Sequence, residues 1–245
     1  MPSDAPAGAA FFDLDRTLIR RSSMLALAPS LKRHGLIGWG SLARASIWHA
    51  IYLIRGVSSN QLAQAADQTF RLMRGWPVEE FQALIAEEIE PLAALAFPDA
   101  IQRMRAHQAR GERAIVVSAS LADLVEPLAA RLGLDGAIAS RAATVDGRFT
   151  GRVEAFLHGP AKAEAVRAYA AANGIDLAAS SAYTDSRSDI ELLETVGHPF
   201  AVNPDRALAK AAQARGWPVL HFSAGKLALA DAEAALLLER DAAAR

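Results

Sequence analysis

The chain has 245 residues, of which 52% are hydrophobic and 22% charged, and its formal net charge is −1. These values fit a well-packed globular protein that forms one large domain or a core with an inserted second one. The balanced charge gives no reason to expect nucleic acid as a partner. The lack of cysteine excludes disulfides, thiolate zinc sites and cysteine nucleophiles. The first ten residues lack the basic start and long apolar stretch of a signal peptide, so we expect a cytoplasmic protein.

The first part of the chain predicts one buried strand followed by a long helical segment. Ala9 to Asp13 is short and almost wholly apolar, as strands inside parallel sheets are. From Arg20 to about Glu90, apolar residues recur at helical spacing. The most membrane-like stretch, Leu36 to Ile54, carries Arg44 and His49. An amphipathic helix is therefore favoured there, and no stable membrane insertion is expected.

After Pro98, predicted helices and strands alternate. The helices are expected over 99–109, 121–132, 162–172 and 189–194, and the strands over 113–117, 181–184, 200–202 and 219–222. Asp146-Gly147 predicts the tight turn of a β-hairpin over 138–153. Repeated β-α units indicate an α/β fold with a doubly wound parallel sheet. We expect a catalytic core of residues 1–20 and 98–245 and an all-helical cap of residues 21–97.

An acidic motif, Asp13-Leu14-Asp15-Arg16-Thr17, follows the first predicted strand. In open parallel sheets, ligands bind at the carboxyl ends of the strands. The Asp13 carboxylate can attack phosphorus and form an aspartyl-phosphate. Asp15 could protonate the leaving alcohol and then deprotonate the attacking water, which requires a carboxyl pKa raised toward neutrality. The alternative is a turn in which Asp15 caps the next segment.

Two further polar residues stand where predicted strands give way to helices. Ser118 follows the strand 113–117, where a hydroxyl and backbone N–H groups could hold a phosphate oxygen. Ser120 is the stronger candidate for the cap of the next helix. Lys162 begins another helix and could neutralise charge on a transferring phosphoryl group, although most single lysines are solvated.

A second pair of acids, Asp185 and Asp189, follows the predicted strand 181–184. Two carboxylates at this position suit a hard cation such as Mg²⁺, which takes one or two carboxylates, waters and a substrate phosphate oxygen. Such a cation would offset the repulsion between the Asp13 carboxylate and a phosphate dianion. The alternative role of Asp189 is to cap the next helix.

The order of these pieces, DxDxT, Ser, Lys and DxxxD, resembles the four-motif signature of the haloacid dehalogenase superfamily phosphatases. The resemblance covers nearly the whole chain and implies a Rossmann-like core. The helical segment after the first motif is similar to the family's C1-type cap. Residues 181–205 in particular resemble subfamily IB, the phosphoserine phosphatase-like branch.

The resemblance implies a role for each matched residue. Asp13 matches the nucleophile and Asp15 the general acid/base. Mg²⁺ is implied as the cofactor, bound by the Asp13 carboxylate, the Asp15 backbone carbonyl and Asp185. The remaining matches are Thr17, which steadies the first loop, Ser118, Ala119 and Lys162, which bind phosphate, and Asp189, which orients the site. An acid at the position of Asp15 favours a phosphatase or a phosphomutase, because the dehalogenases and transport ATPases of the family lack it.

Two departures leave the substrate open. Ser22 stands where phosphoserine phosphatases carry a Glu for the substrate amine. The position of their cap Arg falls on Thr69, with Arg71 and Arg74 as neighbouring candidates. We expect a small phosphorylated metabolite, such as phosphoserine or histidinol phosphate.

Two other functions are weighed against this one. The first is a phosphatase of phospholipid head-group phosphates at the membrane surface, for which Trp39, Trp48 and Tyr52 would form an interfacial face. The second is a non-enzymatic phospho-ligand binding protein, which the complete set of acids disfavours. A homodimer is compatible with the sequence.

Overall fold

The computed structural model of the chain describes residues 8–36 and 70–223. Its strands are β1 (Ala9–Asp13), β2 (Arg113–Leu121), β3 (Gly136–Val145), β4 (Arg148–Ala155), β5 (Ser181–Thr184), β6 (His198–Val202) and β7 (Val219–Leu220). Its α-helices are α1 (Ser23–Arg33), α2 (Val78–Ala93), α3 (Pro98–Ala109), α4 (Ala122–Leu132), α5 (Pro160–Asn173), α6 (Ile190–Leu193) and α7 (Arg206–Arg215). A short 3₁₀ turn, Arg187–Asp189, leads into α6.

The strands form one sheet in the order β4-β3-β2-β1-β5-β6-β7. All neighbours pair in parallel except β3 and β4, which form the predicted hairpin. Asp146 and Gly147 both have positive φ, as a tight hairpin turn requires. The fold is therefore the predicted α/β fold with a doubly wound, mostly parallel sheet. Because β1 lies between β2 and β5, residues that follow these three strands meet at one edge of the sheet.

Apolar side chains cover both faces of the sheet. Residues of β1 alternate between two buried clusters, with Ala10 and Phe12 on one face and Ala9 and Phe11 on the other. The Tyr183 ring stacks on Phe12 at a centroid distance of 4.6 Å. Phe12 directly precedes Asp13, and Tyr183 lies two residues before Asp185, so this packing fixes the strand ends that bear the two acidic motifs.

The β3–β4 hairpin rises beyond the carboxyl edge of the sheet and contacts the segment before α2. Gly75 N–H donates to Phe149 O at 2.8 Å, and Val78 N–H donates to Gly147 O at 2.9 Å. The Arg148 guanidinium donates to Gly75 O at 2.8 Å. The hairpin and the α2 segment are thus held together.

The chain leaves the sheet after Leu18 and returns to it near Phe97, and these two backbone stretches lie side by side. Phe97 N–H donates to Leu18 O at 2.9 Å, and Arg20 N–H donates to Leu95 O at 3.0 Å. Both stretches lie near the boundaries expected for a cap of residues 21–97. The arrangement favours that division, which stays a prediction.

Several sequence-based expectations need correction or lie outside the described residues. The helix α7 was not predicted, although Asp205 caps its start and Gly216 follows its end. Strand β2 continues to Leu121, past the predicted end at Val117. The helix expected over Trp39 to Ile54, its aromatic face and Thr69 lie outside the described residues. Among the described helices, none is long and apolar enough to cross a membrane.

Candidate active site

Asp13 and Lys162 form the centre of the polar cluster at the carboxyl edge of the sheet. Lys162 Nζ donates to Asp13 Oδ1 at 2.5 Å and to Asp189 Oδ2 at 2.7 Å. Lys162 is only 3% exposed, so the solvated alternative for this residue is wrong. Although burial disfavours a charged lysine, the two carboxylates outweigh it and raise the Lys162 pKa. The lysine therefore stays a cation that joins the two acidic motifs.

The Asp13 carboxyl is buried among other charged groups. Burial raises its pKa well above the ordinary value of 3.8, and the neighbouring Asp189 raises it further, while Lys162 opposes the shift. Lys162 occupies Oδ1, and Oδ2 accepts no hydrogen bond from the described residues. One carboxylate oxygen of Asp13 is thus held by the lysine, and the other is free of protein donors among the described residues.

Asp15 contacts the first residue of helix α1. Its Oδ1 accepts a hydrogen bond from the backbone N–H of Ser23 at 2.8 Å. The structure therefore contains the hydrogen bond expected if Asp15 capped the next segment. The same hydrogen bond fixes the Asp15 carboxyl group in the site. Burial raises the Asp15 pKa, although the Ser23 hydrogen bonds oppose the shift. A raised carboxyl pKa is the property that a general acid needs near neutral pH.

Ser118 lies at an irregularity of strand β2, next to the end of β1. The strand register shifts between Ser118 and Leu121, and Ser118 is buried. Its hydroxyl oxygen accepts a hydrogen bond from Ser120 N–H at 3.0 Å. The Ser120 hydroxyl lies 3.0 Å from that of Ser23. The prediction that Ser120 caps helix α4 is wrong, because the cap position is Leu121.

The first loop is steadied by its backbone. Leu18 N–H donates to Leu14 O at 3.0 Å, and Ile19 N–H donates to the same oxygen at 2.9 Å. Thr17 is fully buried, and its hydroxyl has no hydrogen-bond partner among the described residues. Ala119, the other residue expected near the phosphate, is half-buried. The roles expected of both side chains stay predictions.

Asp185 is the second buried acid next to Asp13. Its Oδ2 lies 2.7 Å from a guanidinium nitrogen of Arg16. Burial raises the Asp185 pKa from 3.8 to about 8, and the Asp13 charge adds to this shift, while Arg16 opposes it. Sequence reasoning missed Arg16 and Ser23. Arg16 lies inside the first motif, and Ser23 begins the first helix after it. Their closeness to Asp13 and Asp15 in the sequence is the only feature that could have pointed to them.

Asp189 is oriented by two donors from different elements. Its Oδ2 accepts from Lys162 Nζ and, at 2.7 Å, from the Thr184 hydroxyl. Asp189 is the residue before α6, but its side chain makes no capping hydrogen bond there. The capping alternative for this residue is therefore wrong. The backbone around Asp185 is held by Asp205, whose N–H donates to Asp185 O at 2.8 Å.

The donor set of the cluster fits a divalent cation. The Asp13 and Asp189 carboxylates pair with Lys162, and the Asp185 carboxylate pairs with Arg16. The described residues contain no cluster of three or more acidic or histidine side chains arranged as metal ligands. Mg²⁺ does not need one, because it uses one or two carboxylates and completes its shell with waters and phosphate oxygens. Two carboxylates and the Asp15 carbonyl would meet this requirement.

These pKa shifts predict how the metal-free protein responds to pH. A carboxyl whose pKa is raised on folding stabilises the folded state below its unfolded pKa and loses that contribution as the pH rises through its folded value. We expect Asp185→Asn, measured in EDTA, to gain stability relative to the wild type between pH 4 and about 8. Urea unfolding of both proteins across this range measures the difference. A difference that shrinks as the pH rises would contradict the environment assigned to Asp185.

Three residues at positions compared above with the substrate-binding residues of phosphoserine phosphatases are among the described residues. Ser22 is half-buried at the N-cap of α1 and makes no side-chain capping bond. Arg71 and Arg74 are exposed and lie beside Gly151 of the β3–β4 hairpin. The structure thus places the two arginines at the hairpin.

The fold and the sequence profile together define the family. The profile of haloacid dehalogenase-like hydrolases matches residues 10–194, which includes both acidic motifs. The chain therefore belongs to the haloacid dehalogenase-like hydrolases. A solved structure of a protein with unknown function from Bordetella pertussis Tohama I is 30% identical, has a TM-score of 0.76, and covers 88% of this chain and 99% of its own.

Three relatives are similar over most of the chain, and two of them are named as phosphatases. An inhibition of morphological differentiation protein from Streptomyces azureus is 41% identical over 89% of this chain and 79% of its own length. A probable phosphatase from Mycobacterium tuberculosis is 37% identical over 91% of this chain and 80% of its own. Phosphoserine phosphatase SerB1 from the same species is 35% identical over 90% of this chain and 72% of its own. The chain is a phosphatase of this family, and the non-enzymatic alternative is set aside.

Proposed function

We propose that the protein is a Mg²⁺-dependent phosphomonoesterase that acts on a small phosphorylated metabolite through an aspartyl-phosphate at Asp13. The observation that carries this proposal is the paired placement of Asp13 and Asp15. Asp13 is held by the Lys162 cation, and Asp15 is held two residues away by Ser23 N–H with a raised pKa. A nucleophile and a proton donor are thus fixed on the same short loop.

In the first half of the reaction, a carboxylate oxygen of Asp13 attacks phosphorus and the bond from phosphorus to the ester oxygen breaks. The leaving oxygen takes the proton of the Asp15 carboxyl group, so the alcohol departs neutral. Lys162 and Ser118 bind phosphoryl oxygens at the edge of the sheet and place phosphorus in line with Asp13. Fixed charges and donors of this kind lower the barrier because they need no reorganisation during the reaction.

In the second half, the Asp15 carboxylate takes a proton from a water molecule, and the water oxygen attacks phosphorus. The bond from phosphorus to Asp13 breaks, which releases inorganic phosphate and restores both carboxyl groups to their starting states. Asp189 holds Lys162 in place throughout, because its Oδ2 accepts from Nζ at 2.7 Å.

The residues that would hold Mg²⁺ are the Asp13 carboxylate, the Asp15 backbone carbonyl and Asp185. The bound cation would neutralise charge between the carboxylates and the phosphoryl group. Loss of phosphate release after treatment with EDTA, and its return with added Mg²⁺, is the expected result.

The substrate proposal rests on the names of the relatives and on the residue at position 22. A relative named phosphoserine phosphatase covers most of the chain, and the family branch also contains enzymes that act on histidinol phosphate. Ser22 cannot supply the carboxylate that the phosphoserine enzymes use for the substrate amine. We therefore propose an amino-alcohol phosphate whose amine is bound differently. The cytoplasmic location stays a prediction.

A panel of phosphomonoesters tests the function. Phosphate release is measured with phosphoserine, histidinol phosphate, phosphatidylglycerol phosphate, sugar phosphates and nitrophenyl phosphate, in the presence of Mg²⁺. We expect the highest kcat/KM with a small amino-alcohol phosphate. A preference for the phospholipid would favour the membrane-surface alternative, and no hydrolysis of any ester would overturn the proposal.

The role of Asp15 predicts a dependence on the leaving group. Asp15→Asn should lower kcat by roughly 10²- to 10⁴-fold with alkyl phosphates, which need a proton on the leaving oxygen. Nitrophenyl phosphate needs little protonation, so its first step should slow much less. Single-turnover release of nitrophenol separates this step from hydrolysis of the intermediate. Equal losses for the two classes of ester would rule out the acid role of Asp15.

A further inference from the structure

The two cationic side chains of the site, Lys162 and Arg16, differ in their exposure to solvent. Lys162 is sealed inside the cluster, and its side chain is 4% exposed. The Arg16 side chain is 36% exposed, while that of its partner Asp185 is 5% exposed. Among the described residues, no other cation forms an ion pair with Asp185. Lys162 is therefore a permanent part of the site, whereas the Arg16 guanidinium can leave Asp185 and enter solvent.

The first loop directs Arg16 toward Asp185. Arg16 has a φ of 63°, a left-handed conformation that is unfavourable for residues other than glycine. The next residues of the turn are fixed by hydrogen bonds from Leu18 N–H and Ile19 N–H to Leu14 O. The backbone of the first loop is thus held by contacts other than the Arg16–Asp185 ion pair.

We propose that Arg16 competes with Mg²⁺ for the Asp185 carboxylate and so sets the affinity of the site for the metal. This inference rests on the proposed function, in which Asp185 is a metal ligand. A divalent cation bound at Asp185 either displaces the guanidinium from Oδ2 or shares the carboxylate with it. Displacement of the guanidinium breaks its ion pair with Asp185. Sharing of the carboxylate places the guanidinium and the metal, which are both positive, within a few ångströms of each other. Both effects weaken metal binding.

Isothermal titration of the full-length protein with MgCl₂ tests the proposal. Arg16→Gln should bind Mg²⁺ roughly three- to tenfold more tightly than the wild type at low ionic strength. The gain should shrink as salt is added, because the side chain is partly exposed. Arg187→Gln is the matched control, since Arg187 is an exposed arginine two residues from Asp185 and the variant has the same net charge.

The outcomes separate this inference from the proposed function. Tighter binding in Arg16→Gln and not in Arg187→Gln supports competition at Asp185. Unchanged binding in Arg16→Gln, or an equal gain in both variants, overturns it. Asp185→Asn is measured in parallel and should lose Mg²⁺ binding. Wild-type affinity in Asp185→Asn would show that the metal ligand itself is misassigned, which removes the metal site of the proposed function as well.

Thermal unfolding gives a second test that does not rely on the heat of metal binding. The melting temperature of each protein is compared in EDTA and in MgCl₂. Because Arg16→Gln leaves a buried carboxylate without its cation, we expect it to melt below the wild type in EDTA and to show the larger rise with Mg²⁺. A rise no larger than that of the wild type would contradict the competition.

Discussion

Asp13→Asn should lower kcat for every phosphomonoester by roughly 10⁴-fold or more, because the loss of a nucleophile that acts with the rest of its site removes most of the catalytic effect. An amide is a far weaker nucleophile than a carboxylate, and the variant also loses one oxygen ligand of the proposed metal site. The residual rate of phosphate release, measured at saturating substrate, gives the size of the effect.

The fold of Asp13→Asn should survive the substitution. Asparagine has the same size and removes one of the buried like charges, while Lys162 keeps its hydrogen bond to Asp189. Thermal unfolding is the control, and we expect no decrease in stability in the absence of metal. Substantial activity in a well-folded variant would mean that another residue is the nucleophile or that the activity belongs to a contaminant.

Lys162→Met should lower the free energy of unfolding by about 3–5 kcal/mol, since removal of one partner leaves buried charges without compensation. Lys162 serves two carboxylates, Asp13 and Asp189, which are 8% and 3% exposed. The same variant should lose phosphatase activity, because the cation that binds the phosphoryl oxygens is missing. Urea unfolding followed by circular dichroism measures the loss of stability.

The pH dependence of this variant identifies the cause of the loss. Lys162 lowers the Asp13 pKa, so without it that carboxyl pKa should rise further in the folded state. The destabilisation should then grow as the pH increases and become smaller in acid, where the Asp13 carboxyl takes up a proton. Lys210→Met, a change at an exposed lysine of α7, is the matched control and should stay within about 0.5 kcal/mol of the wild type. Equal destabilisation of the two variants would contradict the buried contacts.

The main strands and the position of the site could be predicted because they depend on short, regular patterns. The apolar run before Asp13 and the run before Asp185 each predict a buried parallel strand, and both strands are present as neighbours. Since carboxyl ends of neighbouring parallel strands share one edge, the motifs were expected to meet. Lys162 Nζ donates to both Asp13 and Asp189, one residue from each motif, which confirms that they do.

The contacts of Arg16, Ser23 and Ser120 could not be predicted, because they depend on local three-dimensional geometry that the spacing of residues in the sequence does not reveal. Arg16 pairs with Asp185 from a left-handed backbone conformation, which the sequence does not indicate at an arginine. The Ser23 N–H reaches Asp15 only because α1 starts directly over the first loop. Ser120 was misread as a helix cap because strand β2 continues past Val117 through an irregular register.

Trapping the phosphoenzyme is the most direct test of phosphoryl transfer to Asp13. Asp15→Asn should form the phosphoenzyme from nitrophenyl phosphate and hydrolyse it slowly, because it lacks the base that activates water. The protein is quenched in acid with Mg²⁺ and substrate present, digested, and examined by mass spectrometry. We predict one added HPO₃ group on the peptide that contains Asp13, and none in the variant that also carries Asp13→Asn. A phosphoryl group on another residue, or turnover of substrate with no labelled protein, would contradict the account.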